Sequence, residues 1–174
     1  MGKIKKPRPE KLICGFIYKE EEVLKESKNI LIKECGPIDY ESPVIPFRHT
    51  DYYNAETGEG LCRAFISFEK LVCPSKLADV KIFTNETEEK FYYPGTEKRK
   101  INIDPGIMSL PKLVLASTKN FYHRIYIGKG IYAEATLKYR GKKFEPFEWT
   151  FPDYASDEYE EILLKIRGIY ASQA

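Results

Sequence analysis

The sequence predicts an α+β fold with a ferredoxin-like βαββαβ core, followed by a helix, an antiparallel β-meander and a C-terminal helix. In the first half, short apolar runs alternate with helical stripes in the order of the split βαβ motif. In the second half, closely spaced strand patterns surround glycine turns, and a regular helical stripe follows. We divide the chain into a flexible basic arm over residues 1–10 and a single α+β domain over residues 11–174.

The core prediction depends on hydrophobic spacing and on where proline and glycine interrupt it. Val23, Leu24 and Leu31 share one helical face, and the pair Gly36-Pro37 should end that helix. The predicted strands are Leu12–Tyr18, Ile38–Phe47, Leu61–Val72 and Lys100–Asp104, the last ended by Pro105 and Gly106, and the predicted helices are Glu20–Glu34 and Pro74–Phe91.

The second half of the chain predicts a short helix, three strands and a final helix. Ser109 should cap the short helix, which carries Leu110, Leu113, Val114 and Ser117. The three strands are Phe121–Ile127, Ile131–Tyr139 and Phe144–Phe151, joined by glycine-containing turns. Ser156 should cap the last helix, whose apolar stripe consists of Tyr159, Ile162, Leu163, Ile166 and Tyr170.

Composition excludes several classes of protein. The 174 residues are 43% hydrophobic and 31% charged, which allows a substantial core and argues against disorder. The net charge of +2 gives no general attraction to nucleic acid or acidic membranes. The apolar runs are too short for a transmembrane helix and no signal peptide precedes them, so we expect a cytoplasmic protein. Lysine and glutamate are abundant and there is one glutamine, a composition typical of heat-adapted prokaryotes.

Several well-known catalytic motifs are absent from the sequence. It contains no G-x-x-x-x-G-K-[ST] phosphate loop, no G-x-G-x-x-G, no G-x-S-x-G and no H-E-x-x-H. Its two histidines, His49 and His123, do not form the repeated His-x-Thr/Ser pair of two-histidine phosphoesterases.

A set of polar residues near predicted element ends is the best candidate site. Asn102 and Asp104 should lie on one side of a strand, because side chains alternate with period two. Lys119, His123 and Arg124 follow after one short element. These residue types suit an anionic ligand, with Asp104 as acid, base or ligand of a divalent cation, His123 as acid or base, and the two cations holding the anion.

Each of these residues also has a structural interpretation. Asp104 can cap a turn, Asn85 can hydrogen-bond a loop, and Lys129 between two glycines can be solvated. Glu134 alternates with Tyr132 and could lie on a hydrated sheet face.

Longer segments carry a resemblance to a known family. These are FISFEKL, KIFTNETEEKF, INIDPGIMSLPKLVLASTKNFYHRIYIGKGIYAEATL and EPFEWTFPDYASDEY. They resemble a small prokaryotic family of unknown function whose members often carry the label "GTP-binding protein", and the resemblance extends from about Lys11 to Tyr170. It implies site positions at Asp51, Tyr52, Asn85, Asn102, Asp104, Lys119, His123, Arg124, Lys129 and Glu134.

Three functions remain open at this point. The first is binding of, or action on, a phosphorylated or nucleotide-like small molecule through the cluster around Asp104. The second is an RNA-binding module, because ferredoxin-like sheets can stack bases and the N-terminal arm is basic. The third is a non-catalytic interaction domain. The sequence leaves the oligomeric state open.

Overall fold

The computed structural model describes residues 2–47 and 60–174, and within them nine strands form one sheet. The strands are β1 Glu10–Tyr18, β2 Ile38–Glu41, β3 Ile45–Pro46, β4 Cys62–Val72, β5 Ile101–Ser109, β6 Lys112–Ser117, β7 Ile125–Gly128, β8 Ile131–Arg140 and β9 Lys143–Pro146. The helices are α1 Glu21–Cys35, α2 Leu77–Glu89, which follows the 3-10 turn Pro74–Lys76, and α3 Asp157–Gln173. The predicted α+β class is confirmed.

The sheet is antiparallel throughout. Its strand order is β2-β4-β1-β5-β6-β8-β7, with β3 also paired to β4 and β9 also paired to β8. The first part of the chain supplies the four strands β2-β4-β1-β5, and α1 and α2 connect strands that are not neighbours in this order.

Hydrophobic side chains fill both faces of the sheet, because neighbouring residues of a strand point to opposite sides. Leu12, Cys14 and Phe16 of β1 pack with α1 and α2 on one face. Ile13 points to the other face, where the core includes Leu163 of α3. A sheet buried on both faces explains why the central strands show little polar alternation.

The predicted helix that starts at Ser109 is wrong. Ser109 is the last residue of β5, and residues 112–117 form β6, which pairs with β5 on one side and β8 on the other. Leu113 and Leu115 both point into the core with a period of two. An apolar run such as Leu113-Val114-Leu115-Ala116 fits either a helix or a buried strand, and here the pairing on both sides makes it a strand.

The predicted end of a strand at Pro105 and Gly106 is also wrong, because β5 continues through both residues. A Cβ atom at Gly106 would lie 2.7 Å from Cδ2 of Leu115 and 2.7 Å from the carbonyl oxygen of Val114. Glycine is therefore required at position 106 for β5 and β6 to approach closely, and it does not serve a turn there.

The final helix is confirmed. Its stripe is buried, and the Ser156 side chain accepts a hydrogen bond from the backbone N–H of Tyr159. The hydroxyl of Tyr170 donates to the carbonyl oxygen of Pro9 at 3.0 Å. Residues 2–9 contain no helix or strand, and the division into arm and domain stays a prediction. No helix among the described residues is long and apolar enough to cross a membrane.

Candidate functional site

A cleft of about 810 Å³ opens in the middle of the sheet, between β5 and β6. The two strands pair only between Gly106–Ser109 and Lys112–Leu115, and beyond this stretch they diverge. Residues from α2, from the loop after β6 and from the loop before α3 complete the walls. The volume is in the range of sites that bind small molecules.

Side chains of α2 take the place of a neighbouring strand at the point of divergence. The ammonium group of Lys81 donates to the carbonyl oxygen of Ile103 at 3.0 Å, and the N–H of Ile103 donates to Oε1 of Glu88 at 2.6 Å. The N–H and C=O groups of every second residue of a strand point to the same side, so those of residue 105 point into the same gap as those of Ile103. Residue 105 is a proline and has no N–H that would be left unpaired there. The sheet can therefore split without orphaned donors at these positions.

The floor of the cleft is a buried arginine, Arg63 of β4. Its guanidinium group lies across Gly15 of β1, where a Cβ atom would come within 2.8 Å of Nη2. Nη2 donates to the hydroxyl of Tyr154 at 2.6 Å, and Nη1 lies 3.5 Å from Oδ2 of Asp104. The cation also lies 4.7 Å from the ring centre of Phe65. These contacts hold the guanidinium group in one orientation.

Arg63 keeps its charge in this environment. Burial lowers the pKa of the guanidinium group, but the oxygens of Tyr154, Tyr159 and Asp104 more than offset that effect, and the pKa is raised above its usual value. Nε of Arg63 has no hydrogen-bond partner among the described residues. The floor of the cleft therefore contains a fixed cation whose remaining donor, Nε, is buried.

Asp104 and Asn102 point into the cleft from the same face of β5. The amide of Asn102 donates to Oδ2 of Asp104 at 2.8 Å, and Nη1 of Arg99 donates to the amide oxygen of Asn102 at 2.9 Å. Arg99 also pairs with Glu88 at 3.0 Å. The Asp104 side chain is 26% exposed, so a ligand can reach its carboxylate.

The opposite wall contains a second charged cluster, centred on Glu134 of β8. Oε2 of Glu134 accepts a hydrogen bond from Nε of Arg124 at 2.7 Å and lies 3.1 Å from Nε2 of His123. The His123 ring stacks on Trp149 with ring centres 5.1 Å apart. Arg124 also donates to the carbonyl oxygen of Lys119 at 3.0 Å, which ties the loop after β6 to this wall.

The structure brings together six of the ten predicted site residues. The cleft is lined by Asn85, Asn102, Asp104, Lys119, Arg124 and Glu134. His123 is not part of the lining and reaches it through Glu134. Lys129 lies elsewhere, with its ammonium group 2.6 Å from Asp79 of α2. Asp51 and Tyr52 lie outside the described residues.

Five buried or half-buried charged residues of the site were not predicted from the sequence. These are Arg63, Lys81, Glu88, Arg99 and Asp153. One signal was available for Arg63, because it stands between Leu61 and Phe65 on the same face of an apolar strand. A charge at such a position needs a buried partner.

The lining is balanced in charge, with five basic and six acidic side chains. Three of the acids already interact with a cation: Glu88 with Arg99, Glu134 with Arg124, and Asp104 with Arg63. Within the described ranges, no group of three or more His, Cys, Asp or Glu residues could hold a metal ion.

Residues 8–170 match the family described as "Domain of unknown function (DUF4416)". The chain belongs to this family. The match confirms the expected resemblance to a small family of unknown function, and it does not test the GTP-binding label. Neither the curated proteins nor the solved structures include a match to the chain.

Proposed function

We propose that the cleft between β5 and β6 binds a phosphorylated, nucleotide-like small molecule. The observation that carries this proposal is the convergence of three cations on one accessible cleft, with Arg63 at its floor and Lys119 and Arg124 at its rim. Fixed guanidinium groups are well suited to phosphate oxygens, because their planar donors need no rearrangement on binding.

The two cations at the rim extend the phosphate site. Lys119 is exposed at the cleft, and Arg124 is oriented by Glu134. In this proposal Arg63 holds the phosphate deepest in the cleft, and Lys119 and Arg124 hold it from the outer side. Hydrogen bonds to charged groups contribute about 1.5–3 kcal/mol each, so the loss of one is measurable.

An apolar part of the lining suits an uncharged ring. Phe151, 54% of whose surface is exposed, stands at the cleft with Phe47 and Tyr92, and Ile17 and Leu115 add apolar surface. Such a wall can stack a base or bury one face of a sugar. This combination of apolar and cationic groups favours a nucleotide-like ligand over a bare anion.

Asp104 keeps two proposed roles. Its carboxylate can accept a hydrogen bond from a ligand hydroxyl or act as acid or base, and it can bind a divalent cation that bridges to phosphate oxygens. His123 contacts the cleft only through Glu134, so we give it a positioning role on that carboxylate in place of direct acid–base chemistry.

Three broader proposals accompany the site. We propose a ferredoxin-like βαββαβ unit for residues 10–109, which the antiparallel order β2-β4-β1-β5 supports. We also propose a cytoplasmic location and a heat-adapted source, which the composition supports.

The test is a thermal-shift screen of the whole chain. The probes are inorganic phosphate, ribose 5-phosphate and purine and pyrimidine nucleotides, each with and without Mg²⁺. At one hundred times Kd, a ligand of the folded state adds about 2.7 kcal/mol, which corresponds to about 5–11 °C in Tm for a chain of this size. No shift with any probe at millimolar concentration would refute the proposal.

A matched pair of variants locates the binding. Lys119→Gln removes an exposed lysine that lines the cleft, and Lys129→Gln removes an exposed lysine outside it. We expect Lys119→Gln to weaken binding by about tenfold or more while Lys129→Gln has no effect. Equal losses in both variants would indicate non-specific attraction. A single-stranded RNA that shifts Tm when the small probes do not would favour the RNA-binding alternative.

A further inference from the structure

An exposed apolar surface lies at the end of the sheet that β7 forms. Among the described strands, β7 is last in the order and pairs with β8 alone. The surface, here called the β7 patch, consists of Phe121 (59% exposed), Tyr122 (70%), Ile125 (72%), Tyr126 (59%) and Ile127 (39%). Because neighbouring residues of a strand point to opposite sides, Ile125 and Ile127 lie on one side of β7 and Tyr126 on the other, so apolar side chains flank the open edge on both faces.

The charges that flank β7 do not protect its open edge. Edge strands usually avoid association by presenting lysines, prolines or other charged groups along the edge. Here Arg124 turns toward Glu134, and Lys129 turns toward Asp79 of α2. No proline interrupts β7. The strand therefore offers backbone N–H and C=O groups beside apolar side chains.

We propose that the β7 patch is the contact surface of a homodimer, in which β7 of one chain pairs antiparallel with β7 of a second copy across a two-fold axis. An antiparallel two-fold places β7 against itself, so Ile125 and Ile127 of one copy lie opposite the same two residues of the other copy. The net charge of +2 gives little repulsion between copies.

The available area is consistent with such a contact. Taking roughly 200 Å² for each aromatic side chain, the three rings at 59%, 70% and 59% exposure offer roughly 400 Å² per copy. A standard interface buries about 800 Å² per partner, so the three rings can supply at most about half of it. Ile125, Ile127 and the paired backbone add to this area.

RNA is a less suitable occupant of the same surface. Exposed aromatic rings can stack bases, but RNA also needs cations that face the phosphates. The two flanking cations, Arg124 and Lys129, extend toward Glu134 and Asp79 and not across the patch, and the hydroxyl of Tyr122 lies 3.4 Å from Oε1 of Glu148. A carboxylate beside the most exposed ring repels a phosphate chain.

Sedimentation velocity of the full chain tests this proposal. We expect a species of twice 20.2 kDa for the unmodified protein and one of 20.2 kDa for Ile125→Lys, which places like charges close to the two-fold axis. The association constant should fall by at least tenfold. Ile4→Lys makes the same substitution at a fully exposed isoleucine outside the patch, and that variant should remain dimeric.

Circular dichroism shows whether Ile125→Lys is folded, and Tyr122→Glu serves as a second variant of the same patch. A protein that stays monomeric up to about 100 μM refutes the dimer. A dimer that persists in both patch variants places the interface elsewhere and also refutes the proposal. If the protein is a monomer that binds single-stranded RNA, and both patch variants abolish that binding, the patch is an RNA-binding surface and not a dimer contact. None of these results depends on a ligand in the cleft.

Discussion

Gly15→Ala should destabilise the protein by displacing Arg63. The backbone of Gly15 is not in the left-handed region, so alanine carries no conformational strain there. Its methyl group would lie 2.8 Å from Nη2 of Arg63 and 3.0 Å from Cε1 of Phe65, and the first of these distances requires a shift. Overpacking of this kind costs about 1–3 kcal/mol, or about 2–12 °C in Tm.

A double-mutant cycle with Arg63→Leu isolates the clash. Leucine retains the first part of the apolar stem but ends before the atoms that cross Gly15. In that background the two closest Arg63 atoms are gone and the 3.0 Å contact with Phe65 remains, and Gly15→Ala gains from a less flexible unfolded chain. We therefore expect the cost of Gly15→Ala to fall below about 1 kcal/mol, a coupling of about 1–2 kcal/mol.

The assay is urea unfolding of the four proteins of the cycle, together with phosphate binding by the two that keep Arg63. Displacement of the guanidinium group should weaken phosphate binding in Gly15→Ala. If Gly15→Ala costs the same with and without Arg63, the arginine does not lie across Gly15 in solution.

Leu163→Ala in α3 should lower the free energy of unfolding by about 2–5 kcal/mol, because the leucine is fully buried. The control Glu161→Ala, at an exposed position of the same helix, should change it by less than about 0.5 kcal/mol. Similar urea midpoints for the two variants would show that Leu163 does not pack in the core. Burial raises the pKa of Glu88 above 4.5, so the stability it contributes is present below pH 4.5 and is lost as pH rises through the higher pKa of the folded state. Glu88→Gln should flatten the dependence of Tm on pH above 4.5, and parallel curves for the two proteins would contradict this. Asp104→Asn should cost about 1–2 kcal/mol, because Arg63 loses a carboxylate that is only partly exposed, and a change below about 0.3 kcal/mol in urea unfolding would indicate that the pair is not formed.

Local sequence patterns predicted the secondary structure correctly where the spacing of apolar residues fitted a helix and not a strand. The stripe of α3 spans several turns and begins at a serine cap, so only a helix satisfies it. The segment Leu113–Ala116 is too short for that test. Its state depends on the neighbours β5 and β8, which are distant in sequence, and the helix prediction failed for that reason.

The candidate site was predictable only where its residues follow a local pattern. Alternation along one strand correctly placed Asn102 and Asp104 on one face. The role of Arg63 depends on Gly15 and Tyr154, which come from separate segments and meet only in the folded chain. Nothing local to any of these segments indicates that contact.

The separation of β5 from β6 at Ile103 has a consequence for local opening of the molecule. Its amide hydrogen is held by a glutamate side chain of α2, whereas the amides of β5 next to β6 are held by a strand. Exchange of this one hydrogen with solvent should therefore follow the detachment of α2, at a lower free energy than exchange within the paired part of β5. A spectroscopic probe of the Ile103 amide thus reports on the wall of the cleft from the centre of the sheet.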